Sequence, residues 1–144
     1  MAIRTRIGVM VPSTNTTCEG DFQLAAPEDV TIHGHRLWMV NEDRGPQGIE
    51  EMNGDIEAAA RYLSTAKVDA IAYGCTTGSF FKGPGWDEEM VQLIERVAGV
   101  PGVATSPSVL EALDFFGAKR ISVATPYPDW DNKLLLDYLE SQGI

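Results

Sequence analysis

The sequence is poor in positive charge, in cysteine and histidine, and in long apolar runs. Eleven lysines and arginines stand against 21 acids, a formal net charge of −10, so no basic patch is available to neutralise nucleic-acid phosphates. Two cysteines and two histidines occur in 144 residues, with no CxxC pair or Cys/His cluster, which argues against a zinc site. No apolar run approaches the roughly 20 residues that span a bilayer. These shortages exclude nucleic acid, a metal centre and a membrane from the expected partners.

The N-terminal segment is too weakly apolar for a secretory signal. MAIRTRIGVMVPS carries two arginines, but its apolar stretch extends only from Ile7 to Val11, and no small-residue cleavage site follows. We interpret the stretch as a first β-strand and predict a cytoplasmic protein. In that compartment both cysteines are expected to be free thiols.

Short apolar runs alternate with segments of helical periodicity, and 44% of the residues are hydrophobic, as in ordinary globular domains. The alternation predicts βαβ units, and therefore an α/β fold with a doubly wound parallel sheet. Glycines at 99, 117 and 143 each follow a helical segment, as C-terminal caps do. The predicted strands are Ile7–Val11, Val30–Val40, Val68–Tyr73, Pro101–Ala104 and Arg120–Ala124.

The chain ends on a helical segment that closes at Gly143, and Ile144 looks like the start of a connection to another strand. From this pattern we expect the protein to be truncated or split.

Hydroxyls, an amide and a thiol dominate the loops where ligands bind in an open parallel sheet, at the carboxyl ends of the strands. Four of these loops contain no acid: residues 12–18, 74–79, 105–108 and 125–128. Backbone N–H groups at the following helices would add positive potential. The prediction is a neutral-to-positive pocket for a small carboxylate. The loop after the second strand is the exception, with Glu42 and Asp43 beside Arg44.

Cys75 directly follows a predicted buried strand, between a glycine and two threonines. A thiol at a strand end near helix N-termini is expected to have a lowered pKa and to be nucleophilic, although a small buried cysteine is the plainer alternative. Cys18, one turn beyond Asn15, is interpreted as core filler. His33 and His35 share a strand face, but without a third ligand they are expected to be surface or structural residues.

Three segments carry a resemblance to a known family. VPSTNTTCEGDF resembles the P-S-[ST]-N-T-[TV]-x-E segment of maleate cis-trans isomerases, and AYGCTTGSFFKG resembles their first cysteine motif. Residues 106–144 resemble the crossing into their second lobe, including its T-P-Y turn. The chain is therefore similar to the maleate isomerase and arylmalonate decarboxylase branch of the aspartate/glutamate racemase superfamily.

The resemblance implies two α/β lobes with the active site between them, and neither a metal nor an organic cofactor. It places a first racemase-like lobe at residues 1–117 and the first βα unit of an incomplete second lobe at 118–144. It makes Cys75 the nucleophile that adds to the double bond of maleate. Its implied substrate-binding residues are Asn15, Ser13, Thr76, Thr77 and Tyr127. The expected partners are a small dicarboxylate substrate and further copies of the chain.

One departure from the family is plain, because the second-lobe cysteine should lie beyond residue 144. The missing half is therefore expected to be needed for full turnover. Two alternatives stay open: an arylmalonate decarboxylase or amino-acid racemase, and a non-catalytic half-protein that binds small acids.

Overall fold

The computed structural model describes residues 5–39 and 45–144. Its strands are β1 (Thr5–Pro12), β2 (Val30–Leu37), β3 (Ala70–Tyr73) and β4 (Gly102–Ala104). They form one sheet in the order β2-β1-β3-β4, and every neighbouring pair is parallel. The predicted fold class is confirmed. The acidic loop at Glu42 and Asp43, with Arg44 and the predicted strand end at Val40, lies outside the described residues.

Seven helices occur in the described part of the chain. Helices α3 and α5 contact each other on one face of the sheet, while α1 and α6 contact its strands on the other. The side chains of Met10, Ile71 and Ile94 are fully buried in the core. The helices are α1 (Cys18–Ala25), α2 (Pro46–Gly54), α3 (Ile56–Thr65), α4 (Thr76–Phe80), α5 (Trp86–Ala98), α6 (Thr105–Phe115) and α7 (Asp129–Ser141).

The two faces of the sheet are covered unequally. Ile56, Ala59 and Leu63 repeat at helical spacing along α3 and are buried, so this helix offers the sheet a continuous apolar stripe. On the opposite face Val103 is 51% exposed and Phe115 is 84% exposed. The core that positions the site therefore lies mainly on the α3 and α5 side.

The predicted fifth strand, Arg120–Ala124, is wrong. Residues 118–128 contain neither helix nor strand, and Ile121 and Val123 are substantially exposed. A strand requires a neighbour to pair its backbone N–H and C=O groups, and the four described strands leave none beside this segment. The alternation of apolar residues predicted a strand here, but it carried no information about whether another strand would lie beside it.

The helix that follows packs against the rest of the molecule. Tyr138 of α7 stacks on Phe80 of α4, with ring centroids 6.2 Å apart. The buried Tyr138 hydroxyl donates to Asp87 Oδ2 of α5 at 2.7 Å. These contacts bring the N-terminus of α7 to the carboxyl edge of the sheet. The domain division at residue 117 stays a prediction.

No helix in the described ranges is both long enough and apolar enough to cross a membrane. The predicted cytoplasmic location stays a prediction.

Candidate active site

The candidate site lies where the order of the strands reverses. The chain leaves β1 for β2 on one side and returns past β1 to β3 on the other, so the loops after β1 and β3 diverge and open a crevice between them. A cavity of about 570 Å³ occupies this crevice. Its lining includes Asn15, Cys75, Thr76, Thr77, Tyr127 and Asp131. Five of the six predicted site residues therefore meet at one place.

Asn15 holds the loop after β1 through its side-chain oxygen, and its Nδ2 group is left for a ligand. Its Oδ1 accepts from the backbone N–H groups of Thr17 and Cys18, both at 2.9 Å. These bonds satisfy donors at the start of α1 that have no partner within the helix. Since the oxygen is occupied, the Nδ2 group is the part of Asn15 that can donate to a substrate carboxylate.

Ser13 does not line the cavity. Its hydroxyl donates to the carbonyl of Met39 at 2.8 Å and accepts from the Met39 N–H at 2.9 Å. A hydroxyl has one proton to donate, and here that proton joins the loop after β1 to the end of β2. The geometry therefore gives no support to the predicted contact between Ser13 and a substrate.

Cys75 is the residue that precedes α4, and a network of polar groups lies behind its thiol. The Tyr73 hydroxyl donates to Asn53 Oδ1 at 2.5 Å, and Asn53 Nδ2 donates to the carbonyl of Gly78 at 3.1 Å. Trp86 Nε1 donates to the same carbonyl at 2.9 Å. Trp86 thus supports the α4 turn from behind and does not line the cavity.

Gly78 leaves room for the hydrogen bonds between Tyr73, Asn53 and the α4 turn. A Cβ at Gly78 would lie 2.0 Å from the Tyr73 hydroxyl oxygen and 3.0 Å from Asn53 Oδ1. No side chain fits at such distances. The glycine therefore lets the Tyr73 hydroxyl approach the turn that carries Cys75.

The predicted lowering of the Cys75 pKa is wrong. Burial raises the pKa of this thiol, and this effect outweighs the Gly78 N–H and the Tyr73 hydroxyl, which both lower it. The negative charge of Asp131 raises the pKa further, and Cys18 adds to that. A five-residue helix offers little dipole against these effects. Cys75 is therefore a thiol in the free protein. Its anion would be stabilised by the Gly78 N–H and by the Tyr73 hydroxyl, whose proton would then turn from Asn53 Oδ1 to the sulfur.

The four loops contain no acid, but the prediction of a neutral-to-positive pocket overlooked a carboxyl group that reaches the cavity from α7. Asp131, the third residue of α7, enters the cavity and is 4% exposed. Its Oδ2 accepts from the Thr77 hydroxyl at 2.8 Å, so the hydroxyl predicted to hold a substrate carboxylate already has a partner. Asp131 follows the acid-free loop by three positions, and the helical periodicity that predicted α7 was the signal available to find it.

The turn before α7 is braced from within. Asn132 Nδ2 donates to the carbonyl of Tyr127 at 2.8 Å, and the Thr125 hydroxyl donates to Asn132 Oδ1 at 2.5 Å. These bonds hold the T-P-Y turn so that Tyr127 lines the cavity beside Thr76. Tyr127 also packs against the hydrophobic cluster of Phe80, Tyr138 and Leu139.

Cys18 is not core filler. It begins α1, is half-buried, and lines a second groove with Thr105 and Phe22. Its Sγ would lie 2.8 Å from a Cβ placed on Gly74, so this glycine lets α1 approach the Cys75 turn. Burial raises the pKa of the Cys18 thiol, and the nearby Asp21 and Glu19 raise it further.

The two histidines take the structural role expected of them. His33 Nε2 lies 3.0 Å from the Thr31 hydroxyl, and His35 stacks on Tyr62 with centroids 5.4 Å apart.

Comparison with known proteins places this site in a family. The sequence profile of the arylmalonate decarboxylase family matches residues 7–144. The chain belongs to that family. Among its members, a maleate isomerase of Alcaligenes faecalis is 31% identical over 152 residues, covering 96% of this chain and 59% of the relative. A maleate isomerase of Pseudomonas putida KT2440 is 28% identical, covering 96% and 60%. The resemblance stated from the motifs is confirmed.

Solved structures of family members superpose closely. The maleate isomerase Iso of Pseudomonas putida S16, in a cysteine variant with maleate, gives a TM-score of 0.89 at 29% identity, over 97% of this chain and 60% of that one. The Nocardia farcinica maleate isomerase with a covalently bound succinylcysteine intermediate gives 0.87 at 23% identity, which shows the shared fold. This chain spans about 60% of the length of these relatives.

Proposed function

We propose that this chain carries the first lobe of a cofactor-independent cis–trans isomerase that converts a small cis-dicarboxylate, maleate, to its trans isomer, fumarate. The carrying observation is one cavity that is lined by Cys75, Asn15 and Tyr127 together. Likeness to a maleate-bound isomerase supports the choice of substrate. Because relatives are longer, residues from a further lobe are expected to complete the site.

The proposed chemistry needs a nucleophile and donors for a carboxylate. The Cys75 thiol first gives its proton to solvent. The thiolate then adds to one carbon of the double bond, and the π electron pair moves onto the other carbon and its carboxylate. The central bond is then single and rotates. The pair returns to re-form the double bond, and the sulfur–carbon bond breaks to release the thiolate. No proton is consumed over the cycle.

The donors act where charge develops. As the π pair moves out, negative charge accumulates on a substrate carboxylate, and hydrogen bonds to it strengthen. Asn15 Nδ2, the Tyr127 hydroxyl and the backbone N–H groups at the start of α4 are the groups proposed for this role. Thr76 lies at that start and lines the cavity. Thr77 contributes through its backbone N–H, because its hydroxyl is given to Asp131.

The deciding experiment incubates the full-length gene product with maleate and follows fumarate by proton NMR. The expected result is fumarate without any added metal or organic cofactor. The family also contains an arylmalonate decarboxylase of Bordetella bronchiseptica, 24% identical over 99 residues. Release of CO₂ from an arylmalonate with no fumarate from maleate would instead support that reaction. Dicarboxylate binding without turnover would support a non-catalytic binding protein.

A further inference from the structure

Asp131 is a buried acid that lies inside the candidate site. Its side chain is 4% exposed and lines the same cavity as Cys75 and Tyr127. The Thr77 hydroxyl donates to Oδ2. Among the described residues, Asp131 Oδ1 is the buried side-chain oxygen that has no hydrogen-bond partner. A buried polar atom without a partner is costly, so this oxygen needs an account.

The two protonation states of Asp131 would need different ligands. If Asp131 is ionised, its unpaired oxygen can only accept, and the ligand must supply a donor. If Asp131 is protonated, the carboxyl group can donate its own proton to an acceptor on the ligand. A maleate or succinate dianion has only acceptor oxygens and brings two negative charges. An ionised Asp131 would repel that ligand, whereas a neutral Asp131 could donate a hydrogen bond to it.

We propose that Asp131 binds the dicarboxylate as a neutral acid that donates its proton to a substrate carboxylate, while Oδ2 keeps the bond from the Thr77 hydroxyl. Ligand binding then takes up one proton from solvent whenever Asp131 is ionised in the free protein. This inference rests on the proposed dicarboxylate function and adds a residue that selects the charge of the ligand.

The surroundings of Asp131 favour the neutral form. Burial raises the pKa of Asp131 more than the Thr77 hydroxyl lowers it. A position in the first turn of α7 favours the anion through the helix dipole, but this is a smaller effect than burial. Protonation also removes the negative charge that raises the pKa of the Cys75 thiol. The same event would therefore admit the dianion and ease formation of the nucleophile.

The groups that can titrate near Asp131 are few in the described ranges. From the α4 side it faces Cys75, with the Tyr73 phenol behind that thiol. From the preceding turn the Tyr127 phenol shares the cavity. On its own helix Asp129 is exposed, and the acids of α5, Asp87 and Glu88, act on Tyr138 further along α7. Cys75 is thus the one group expected to couple to Asp131.

The test measures binding of succinate, a saturated dicarboxylate that cannot isomerise, to the full-length gene product. Calorimetry in two buffers of different ionisation heat counts the protons taken up. We expect about one proton per ligand, and an affinity that falls about tenfold per pH unit above the pKa of Asp131. Asp131→Asn should bind with no proton uptake by the protein and with an affinity nearly independent of pH. The matched control Asp129→Asn removes an exposed acid two positions away and should behave like the parent.

Three outcomes would overturn the proposal: no proton uptake by the parent protein at any pH from neutral to about 9, an unchanged pH dependence in Asp131→Asn, or tighter binding of succinamate, the monoamide of succinate, than of succinate itself. The last outcome would mean that an ionised Asp131 accepts from the ligand. If Asp131→Asn fails to fold, infrared difference spectra of the parent decide, since a protonated-carboxyl band should appear with succinate. Proton-coupled succinate binding without fumarate from maleate would refute the proposed isomerase alone, and turnover without proton uptake would refute this inference alone.

Discussion

The two turns that carry the cysteines lie side by side but treat their thiols differently. In both turns burial raises the pKa of the thiol. The Cys75 turn opposes this with two donors, the Gly78 N–H and the Tyr73 hydroxyl. The Cys18 turn adds two acids, Asp21 and Glu19, which oppose the thiolate further. Cys75, the proposed nucleophile, is therefore distinguished from Cys18 by neighbouring groups that favour its anion, and not by a lowered pKa.

The largest expected difference between the two turns is in turnover. Cys75→Ala should reduce conversion of maleate to fumarate by about a thousandfold or more, because the covalent step is lost. Cys18→Ala, the matched control, should stay within about threefold, since its thiol lies outside the proposed addition. Initial rates by proton NMR on the full-length protein provide the measurement. Comparable losses of activity in the two variants would mean that the two cysteines do not differ in their role in turnover.

The next effect is on stability, through the glycine that closes the network behind Cys75. Gly78→Ala should lower the free energy of unfolding by about 1–3 kcal/mol, because the new methyl displaces the Tyr73 hydroxyl. Gly20→Ala in α1 meets no atom within 4 Å, and should raise stability by about 0.5–1 kcal/mol through helix propensity. Urea unfolding of both variants gives the comparison. If Gly78→Ala left the free energy of unfolding unchanged, the turn would be loosely packed.

A smaller effect concerns Asp131 and has a definite sign with pH. Its pKa is raised in the folded protein, so the stability it contributes is complete below its unfolded pKa of about 3.9 and is lost as the pH rises through the folded value. Asp131→Asn should therefore gain stability relative to the parent as the pH rises from about 4 to about 8, by about 1 kcal/mol. Thermal unfolding across that range measures it. If the stabilities of the parent protein and of Asp131→Asn changed with pH in the same way, the raised pKa of Asp131 would be contradicted.

The smallest effect tests the donor from Tyr73. Tyr73→Phe removes a hydroxyl that favours the Cys75 anion, so iodoacetamide should label Cys75 about threefold more slowly near neutral pH. Labelling of Cys18 should not change. Tyr62→Phe, at an exposed tyrosine stacked on His35, serves as the control. Peptide mapping resolves the two cysteines, and faster labelling of Cys75 in Tyr73→Phe would reverse the assignment.

Local pattern predicted most of the scaffold because each strand and helix has a periodicity that its own residues carry. The predicted run Ile7–Val11 lies inside the observed strand β1, Thr5–Pro12, and the predicted run Pro101–Ala104 begins one residue before β4 and ends with it. Apolar residues recur at helical spacing from Met52 through Ile56 to Leu63, yet the structure divides this segment at Asp55 between α2 and α3.

The sequence by itself determined the order of the elements, and with it the edge of the sheet at which Asn15 and Cys75 lie, because parallel strands all end on the same side. Tertiary structure alone decided three matters that depend on neighbours distant along the chain. Residues 120–124 did not become a strand because no strand pairs with them. The pKa of Cys75 rose because burial outweighs its two donors. Asp131 entered the cavity because Tyr138 and Phe80 dock α7 on α4.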